Sequence, residues 1–281
     1  MLLASYAKIN LYLEVLAKLP DNYHQIETLL CSVSVFDTLK YALTKKPDIK
    51  LWSNLPEMTV DNNLIYQVST FMRDKYDPQT GVEIYLDKQI PIAAGLGGGS
   101  SNAATTIMAL NILWELGLSL AEMEDIAAMF GSDVCFFLQG GTAFASNKGE
   151  VIAKRDDLEI ERILLVNPRI AINSSTAYQL VQVPDSEKRR QFVFSDWRHN
   201  CYNRLEPGIR KAYPVVDDII SKMMSHNAMP AMMSGSGSTC FGIFDTDNDL
   251  KRCMEYFSRA GYWTKQVKTV TRKEFADVFK T

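Results

Sequence analysis

Residues 95–101 read Gly-Leu-Gly-Gly-Gly-Ser-Ser, directly ahead of an apolar pattern at helical spacing. Residues of this kind suit anion binding. Glycine lets successive backbone N–H groups point into one concavity, and a helix beginning there adds partial positive charge, so a phosphate chain can be held without a lysine. A tight structural turn is the competing reading, but four glycines beside Ser100, Ser101 and Asn102 cost backbone entropy that a turn alone does not require. The second chemical signal is Asp133, the one charge in an apolar stretch from Ile126 to Leu138. An ionised side chain in such surroundings needs a partner or a task. Taken alone, Asp133 fits a structural ion pair or a turn cap after Gly131 as well as it fits catalysis.

The known nucleotide loops do not match. A Walker A loop needs Gly-Lys-Ser/Thr, and no lysine lies between Lys88 and Lys148. A Rossmann G-x-G-x-x-G counted from Gly95 puts Ser100 where the last glycine belongs, and Glu115 falls inside the helical pattern. The lysine and His-Arg-Asp signatures of protein kinases are absent. No His or Cys has metal-ligand spacing, so no structural metal site is expected.

Several elements must position these groups. Residues 4–15 alternate, with Ala7, Ile9, Leu11, Leu13 and Val15 on one side and Tyr6, Lys8, Asn10, Tyr12 and Glu14 on the other, which predicts a half-buried strand. Val82, Ile84 and Leu86 predict a second strand running into the glycines. Ala103, Ile107, Leu110, Leu113 and Trp114 predict a helix ending near Gly117, and Ser119 with Glu122 forms the capping box of the next. Residues 132–152 read as a turn followed by short strands around glycine corners. Further on, the pattern predicts a helix near 208–226, a strand around 229–244, a helix over 247–262 and a final strand. The class is α+β in two layers, with a weakly marked boundary that divides the chain into 1–155 and 156–281.

At 281 residues with 47% hydrophobic content the chain supports a large core, and its net charge of −3 gives no reason to expect nucleic acid or an anionic membrane as partner. Lys8 interrupts the apolar amino terminus, no span is long and uncharged enough to cross a bilayer, and the five cysteines are odd in number and scattered. These features point to free thiols and the cytoplasm.

The stretch "PIAAGLGGGSSNAA" at 91–104 resembles the second motif of the GHMP kinases, the superfamily named for galactokinase, homoserine kinase, mevalonate kinase and phosphomevalonate kinase. "AKINLYLEV" with "DNYHQIETL" resembles the first motif of the branch that phosphorylates a cytidine diphosphate-linked methylerythritol, and "MMSGSGSTCFGIF" resembles the third. Three motifs in the right order are more specific than one glycine loop.

This resemblance implies a two-domain fold, with an N-terminal ribosomal-protein-S5-like domain and a C-terminal ferredoxin-like domain. It implies ATP and Mg²⁺ as cofactors, and transfer to a small-molecule alcohol by a monomer or weak homodimer. By position the family's catalytic pair falls on Lys8 and Asp133, with Asp133 as general base and Lys8 balancing charge. Pro91, Ala94, Gly95, Leu96, Gly97, Gly98, Gly99, Ser100, Ser101 and Asn102 fall on the phosphate loop, and Asn63 and Leu64 on the adenine pocket. Asn10, Tyr23, His24, Ser174, Tyr178, Gly235 and Ser236 fall on the alcohol site. There Tyr23 and Tyr178 would stack on the base and His24 would bond its edge. Two positions depart from the pattern. Asn22 stands where glycine is usual and must accept left-handed φ, and Arg204 stands where aspartate is expected. Another GHMP-type kinase, acting on homoserine or mevalonate, and a catalytically silent nucleotide-binding protein are the competing readings.

Overall fold

A computed structural model of the chain describes residues 1–55, 60 and 62–280. Two long strands, β1 (Leu2–Lys18) and β2 (His24–Thr44), pair antiparallel from Leu2 opposite Lys40 to Lys18 opposite His24. The alternation at 4–15 signals β1; β2 is carried by β-branched and aromatic residues such as Val33, Val35, Thr38 and Tyr41. After β3 (Ile49–Ser53) and α1 (Leu64–Tyr76), β4 (Gly81–Asp87) pairs with the second half of β2 and lies parallel to β3. Helices α2 (Gly98–Leu113), α3 (Leu120–Phe130) and α4 (Ser132–Phe136) follow, then the hairpin β5 (Thr142–Asn147) and β6 (Val151–Lys154), with β5 on the first half of β2.

The second half of the chain runs β7 (Ile163–Asn167), α5 (Ser174–Gln179), β8 (Tyr202–Asn203), α6 (Glu206–Ala212), α7 (Pro214–Ser225), β9 (Ala231–Met233), β10 (Cys240–Ile243), α8 (Asp247–Arg259), β11 (Trp263–Val267) and α9 (Arg272–Asp277). Its sheet has the order β11-β7-β10-β9 with every pair antiparallel, the arrangement of a ferredoxin-like βαββαβ unit. Short β8 instead joins β1 in the first sheet, and Phe275 of α9 packs in the first sheet's helical core.

The expected two layers become four, because the sheets pack face to face. Ala7, Ile9 and Leu11 of β1 meet Ile163, Leu165, Phe241 and Val267 of the second sheet. The outer faces carry helices: α1 to α4 over Leu39, Val82, Ile84 and Leu86, and α7 and α8 over Leu164 and Val166. Consequently β1 is buried on both faces from Ala7 to Val15, not half-buried.

Strict alternation also fails there, since β1 shifts register between Asn10 and Tyr12. Such a bulge re-aims the side chains beyond it. Leu13 therefore lines the same cleft as Lys8 and Asn10. Other differences are local. Pro214 breaks the expected long helix into α6 and α7. Helix α2 stops at Leu113 with Glu115 already left-handed, ahead of Gly117. Residues 132–136 are helical, and the expected strand at 229–244 is the hairpin β9–β10. No helix among the described residues is long and apolar enough to cross a membrane.

Candidate active site

A cleft of about 1370 Å³ opens where the glycine loop, β1, α4 and the loop before α6 converge. Lys8 is buried on its floor, with Nζ donating to Asn10 Oδ1 at 2.6 Å and lying 3.6 Å from Asp133 Oδ2. Asn10 Nδ2 donates to Thr28 Oγ1 (2.8 Å), whose hydroxyl donates to the Tyr12 carbonyl, so the lysine is oriented by a chain of hydrogen bonds between β1 and β2. Asp133 sits in the first turn of α4 after the sharp Gly131 (φ 149°), which turns its carboxylate away from the buried Val134–Phe137. Its side chain remains 40% exposed. The arrangement presents a free carboxylate beside a fixed ammonium at the mouth of a water-accessible cavity.

The glycine loop is built twice over. Gly97 caps α2 at φ 68° without a side-chain hydrogen bond, so the first N–H groups of a 16-residue helix face the cleft beside Gly98, Gly99 and Ser100. Packing asks for the same glycines. A Cβ on Gly95 would stand 2.0 Å from the Ser234 carbonyl oxygen, one on Gly97 2.8 Å from the Phe137 ring, and one on Gly98 2.9 Å from Lys88 Nζ. Only at Gly99 is there room, the nearest atom being 4.0 Å away. The loop thus has the packing benefit that the sequence alone did not disclose.

A second glycine loop closes on the first. Ser234 Oγ donates to the Gly95 carbonyl at 3.0 Å, Thr239 N to Ala94 O at 3.2 Å, and Lys8 N to Leu96 O at 3.0 Å. Gly235 (φ 54°) lies against Lys8 and Asn10, and its carbonyl accepts from Asn203 Nδ2 at 2.8 Å.

Most of the expected residues line this one cleft: Asn63, Leu64, Pro91, Ala94, the loop glycines, Ser100, Asn102, Asn10, Tyr23, His24, Ser174, Tyr178, Gly235 and Ser236. Leu96 and Ser101 turn inward instead. Leu96 is core, and Ser101 Oγ pairs with Ser5 Oγ at 2.7 Å, tying α2 to β1. Asn63 caps α1 by accepting from Ile65 N at 2.9 Å, which leaves its amide nitrogen for the cleft. Asn102 Oδ1 is buried with no hydrogen-bond partner.

At the other end of the cleft, His24 and not Tyr23 lies face to face with Tyr178, with ring centroids 5.0 Å apart and planes at 20°. Tyr23 is 60% exposed. Burial first, then Lys18, depresses the His24 pKa below its ordinary 6.5, so the ring is neutral at neutral pH and can donate on one nitrogen and accept on the other. Asn22 adopts φ 67°, as its place in a glycine position requires. Arg204 clamps the buried Glu14 with two bonds, Nε to Oε1 at 2.6 Å and Nη2 to Oε2 at 2.8 Å. Arg190 N adds a third at 2.9 Å.

Two contributors were not visible in the pattern. Asp37 is buried and accepts from Gln89 N, Ile90 N and Lys88 Nζ, each within 2.8 Å, fixing the segment that leads into the glycines. Burial lowers the Lys88 pKa, against the pull of Asp37. The lone Asp in β2 was the available signal.

Two sheets joined face to face, with two glycine loops closing over a lysine–aspartate pair, define a small-molecule kinase of the GHMP type. Residues 63–141 match the GHMP kinases N terminal domain and residues 190–262 the GHMP kinases C terminal domain. The chain is 38% identical to 4-diphosphocytidyl-2-C-methyl-D-erythritol kinase of Alkaliphilus oremlandii, over 91% of this chain and 92% of that one. It is 33% identical to the enzyme of the same name from Thermodesulfovibrio yellowstonii, over 95% and 96%. A crystal structure of 4-(cytidine 5'-diphospho)-2C-methyl-D-erythritol kinase superposes with a TM-score of 0.81 at 27% identity, covering 96% of this chain and 99% of that one. The chain belongs to the GHMP kinases, in the family of the 4-diphosphocytidyl-2-C-methyl-D-erythritol kinases.

Proposed function

We propose that the chain transfers the terminal phosphoryl group of ATP to the 2-hydroxyl of 4-diphosphocytidyl-2-C-methyl-D-erythritol, a step of non-mevalonate isoprenoid synthesis. The observation that carries this reading is the placement of Lys8 Nζ 3.6 Å from Asp133 Oδ2, between the phosphate loop and the His24–Tyr178 pair. Asp133 accepts the hydroxyl proton while the alcohol oxygen bonds the γ-phosphorus and the bond to the β-phosphate oxygen breaks, releasing ADP. Lys8, held by Asn10, balances the negative charge that develops on the alcohol oxygen. Ala94, Gly95, Gly97, Gly98, Gly99 and Ser100 hold the phosphates by backbone amides, with Pro91, which has no N–H to donate, lining the cleft at the entry to the loop and Leu96 and Ser101 supporting it from behind. Asn63 and Leu64 take the adenine, and Tyr23, His24, Ser174, Tyr178, Gly235 and Ser236 take the alcohol.

No group of three or more His, Cys, Asp or Glu among the described residues could hold a metal ion. Mg²⁺ does not need one, because it keeps several waters and takes much of its coordination from substrate phosphates. Ser100 and the unpartnered Asn102 oxygen are the groups that fit it at the loop. The ion neutralises phosphate charge during transfer.

We further assign the ATP end and catalytic pair to residues 1–155 and part of the alcohol site to 156–281, in a cytoplasmic enzyme that acts as a monomer or weak homodimer. A coupled ADP-release assay with ATP, Mg²⁺ and the cytidine substrate tests the proposal. Turnover of this alcohol is expected. Transfer to homoserine or mevalonate instead, or ATP binding without transfer to any of the three, overturns it.

A further inference from the structure

The second glycine loop is fastened by one buried side chain that lies outside the cleft. Asn203 donates from Nδ2 to the Met233 carbonyl at 2.9 Å and to the Gly235 carbonyl at 2.8 Å, while its Oδ1 accepts from Leu205 N at 3.0 Å. Both amide hydrogens are spent on the loop, and the oxygen closes the turn of its own segment. Asn203 reaches the loop from β8, which runs parallel to β1 with Leu13 opposite Asn203, and Arg204 N donates to the Leu13 carbonyl at 2.8 Å. The strand that bears Lys8 therefore also holds the residue that fastens the loop. Its grip ends beside the catalytic pair, since a Cβ on Gly235 would stand 3.0 Å from both Lys8 Nζ and Asn10 Oδ1. The Gly235–Ser236 peptide is trans, so drawing its carbonyl to Asn203 turns the Ser236 N–H the opposite way. Ser236 lines the cleft, and that N–H bonds to no group of the protein among the described residues.

We propose that Asn203 is a positioning residue for phosphoryl transfer: by holding the Gly235 carbonyl it aims the Ser236 N–H at the reacting end of the cleft, beside Lys8. A fixed backbone donor there stabilises the negative charge that develops between the alcohol oxygen and the transferring group. The proposal rests on the function proposed above. It gives Asn203 no contact with either substrate. Loss of its two bonds releases the loop without touching the base end or the first glycine loop, so the expected consequence falls on turnover and not on binding.

The test combines steady-state kinetics, calorimetric titration with CDP and urea midpoints on the full chain. Asn203→Ser keeps an oxygen for Leu205 N but is too short to reach Gly235. It should lower kcat about thirtyfold, with the dissociation constant for CDP and the KM for ATP within about twofold of wild type. Glu206→Gln is the stability control. Glu206 Oε2 accepts from Met233 N at 2.9 Å, and glutamine keeps that acceptor while losing the ion pair with Arg210. It should lower the urea midpoint and leave kcat within about twofold of wild type. Wild-type kcat in Asn203→Ser, a fall in kcat matched by a loss of CDP affinity, or an equal loss of kcat in Glu206→Gln would each overturn the proposal. One measurement needs no variant: with both hydrogens bonded, the Asn203 side-chain amide should exchange with solvent at least about a hundredfold more slowly than a free amide, read by NMR. Exchange at the free rate overturns the proposal whatever the variants do. A wild-type chain that transfers no phosphoryl group to the alcohol refutes the kinase reading, and the exchange measurement alone then decides whether Asn203 holds the loop.

Discussion

The two ends of the cleft are built from different materials. The phosphate end is made of backbone: Gly95 and Gly97 hold left-handed angles, the two glycine loops are tied by Ser234 to Gly95 and Thr239 to Ala94, and side chains behind them are buried. The base end is made of side chains on short connections, with Tyr23 largely exposed and His24 resting on Tyr178. Backbone recognition is rigid and indifferent to what carries the phosphate. Side-chain recognition is adaptable, and in the proposed function it selects the alcohol. The His24 and Tyr178 rings, with centroids 5.0 Å apart, leave no gap for a base between them, so in the proposed reading the base stacks on the other face of Tyr178 or takes the place of His24. Nothing comparable is asked of the glycine loop.

The largest expected effect belongs to neither end. Asp133→Ala should lower kcat by roughly a thousandfold or more while ATP and CDP still bind, since a general base contributes about 10² to 10⁴ and both ends remain intact. Single-turnover assays with separate binding titrations check this; near-normal turnover would remove Asp133 from the chemistry. Substitutions within the phosphate end should divide sharply. Gly95→Ala forces a Cβ to 2.0 Å from Ser234 O at φ 77° and should cost about 3 kcal/mol of stability, read as a lowered urea midpoint. Gly99→Ala meets open space, so its stability should stay within about 0.5 kcal/mol of wild type while the KM for ATP rises, because the new methyl faces the phosphates. Equal destabilisation by both would erase the distinction between packing and ligand glycines.

Between the two ends lies the Glu14–Arg204 clamp, which joins β1, the strand of Lys8, to the second half of the chain. Arg204→Met leaves Glu14 buried without its cation and should cost about 3 kcal/mol. Burial raises the Glu14 pKa, but the bonds from Arg204, Arg190 N and Val15 N outweigh it, so the folded value lies below the ordinary 4.5. A depressed carboxyl stabilises the fold above its unfolded value and loses that contribution as pH falls through the folded one. Glu14→Gln should therefore lower stability at neutral pH and flatten its decline below pH 4.5, seen in urea titrations at stepped pH. An acid limb as steep as wild type would show that other carboxylates govern it.

The same contrast decides what could be read from sequence. The glycine loop, the strand before it and the Ser119–Glu122 capping box depend on neighbours a few residues away, and residue type reports them directly, whereas the left-handed Asn22 was expected from the resemblance. The Lys8–Asp133 pair was reachable only through the resemblance, because 125 positions separate residues whose contact is set by tertiary packing. Burial of β1 on both faces was hidden for a related reason: Lys8, Asn10 and Glu14 look solvent-facing until Asp133, Thr28 and Arg204 satisfy them. The glycines' packing partners, Ser234 and Phe137, and the partner of Arg204 also come from distant segments. Pattern reports the period of a strand, while the bulge at Leu11 that turns Leu13 into the cleft is a property of the pairing.

The smallest expected effect tests the base end directly. If Tyr178 supplies a stacking face, Tyr178→Ala should weaken CDP binding about tenfold, in line with about 1–3 kcal/mol per stacked base, and leave the KM for ATP unchanged. Tyr178→Phe should bind as wild type, because the ring and not the hydroxyl makes the contact; burial already holds that hydroxyl protonated, with Asp133 adding to the effect. His24 sharpens the point through pH. Its pKa lies below 6.5, so the loss of affinity for cytidine, a probe without a titrating phosphate, that follows protonation of His24 should have its midpoint on the acid side of pH 6.5. A midpoint at pH 6.5 would mean that His24 titrates as a solvated residue and is not held against Tyr178 in the binding-competent state. Affinity that instead falls for Tyr178→Phe as much as for Tyr178→Ala would replace stacking by a hydrogen bond, and the base end would then recognise its ligand by polar contacts as the phosphate end does.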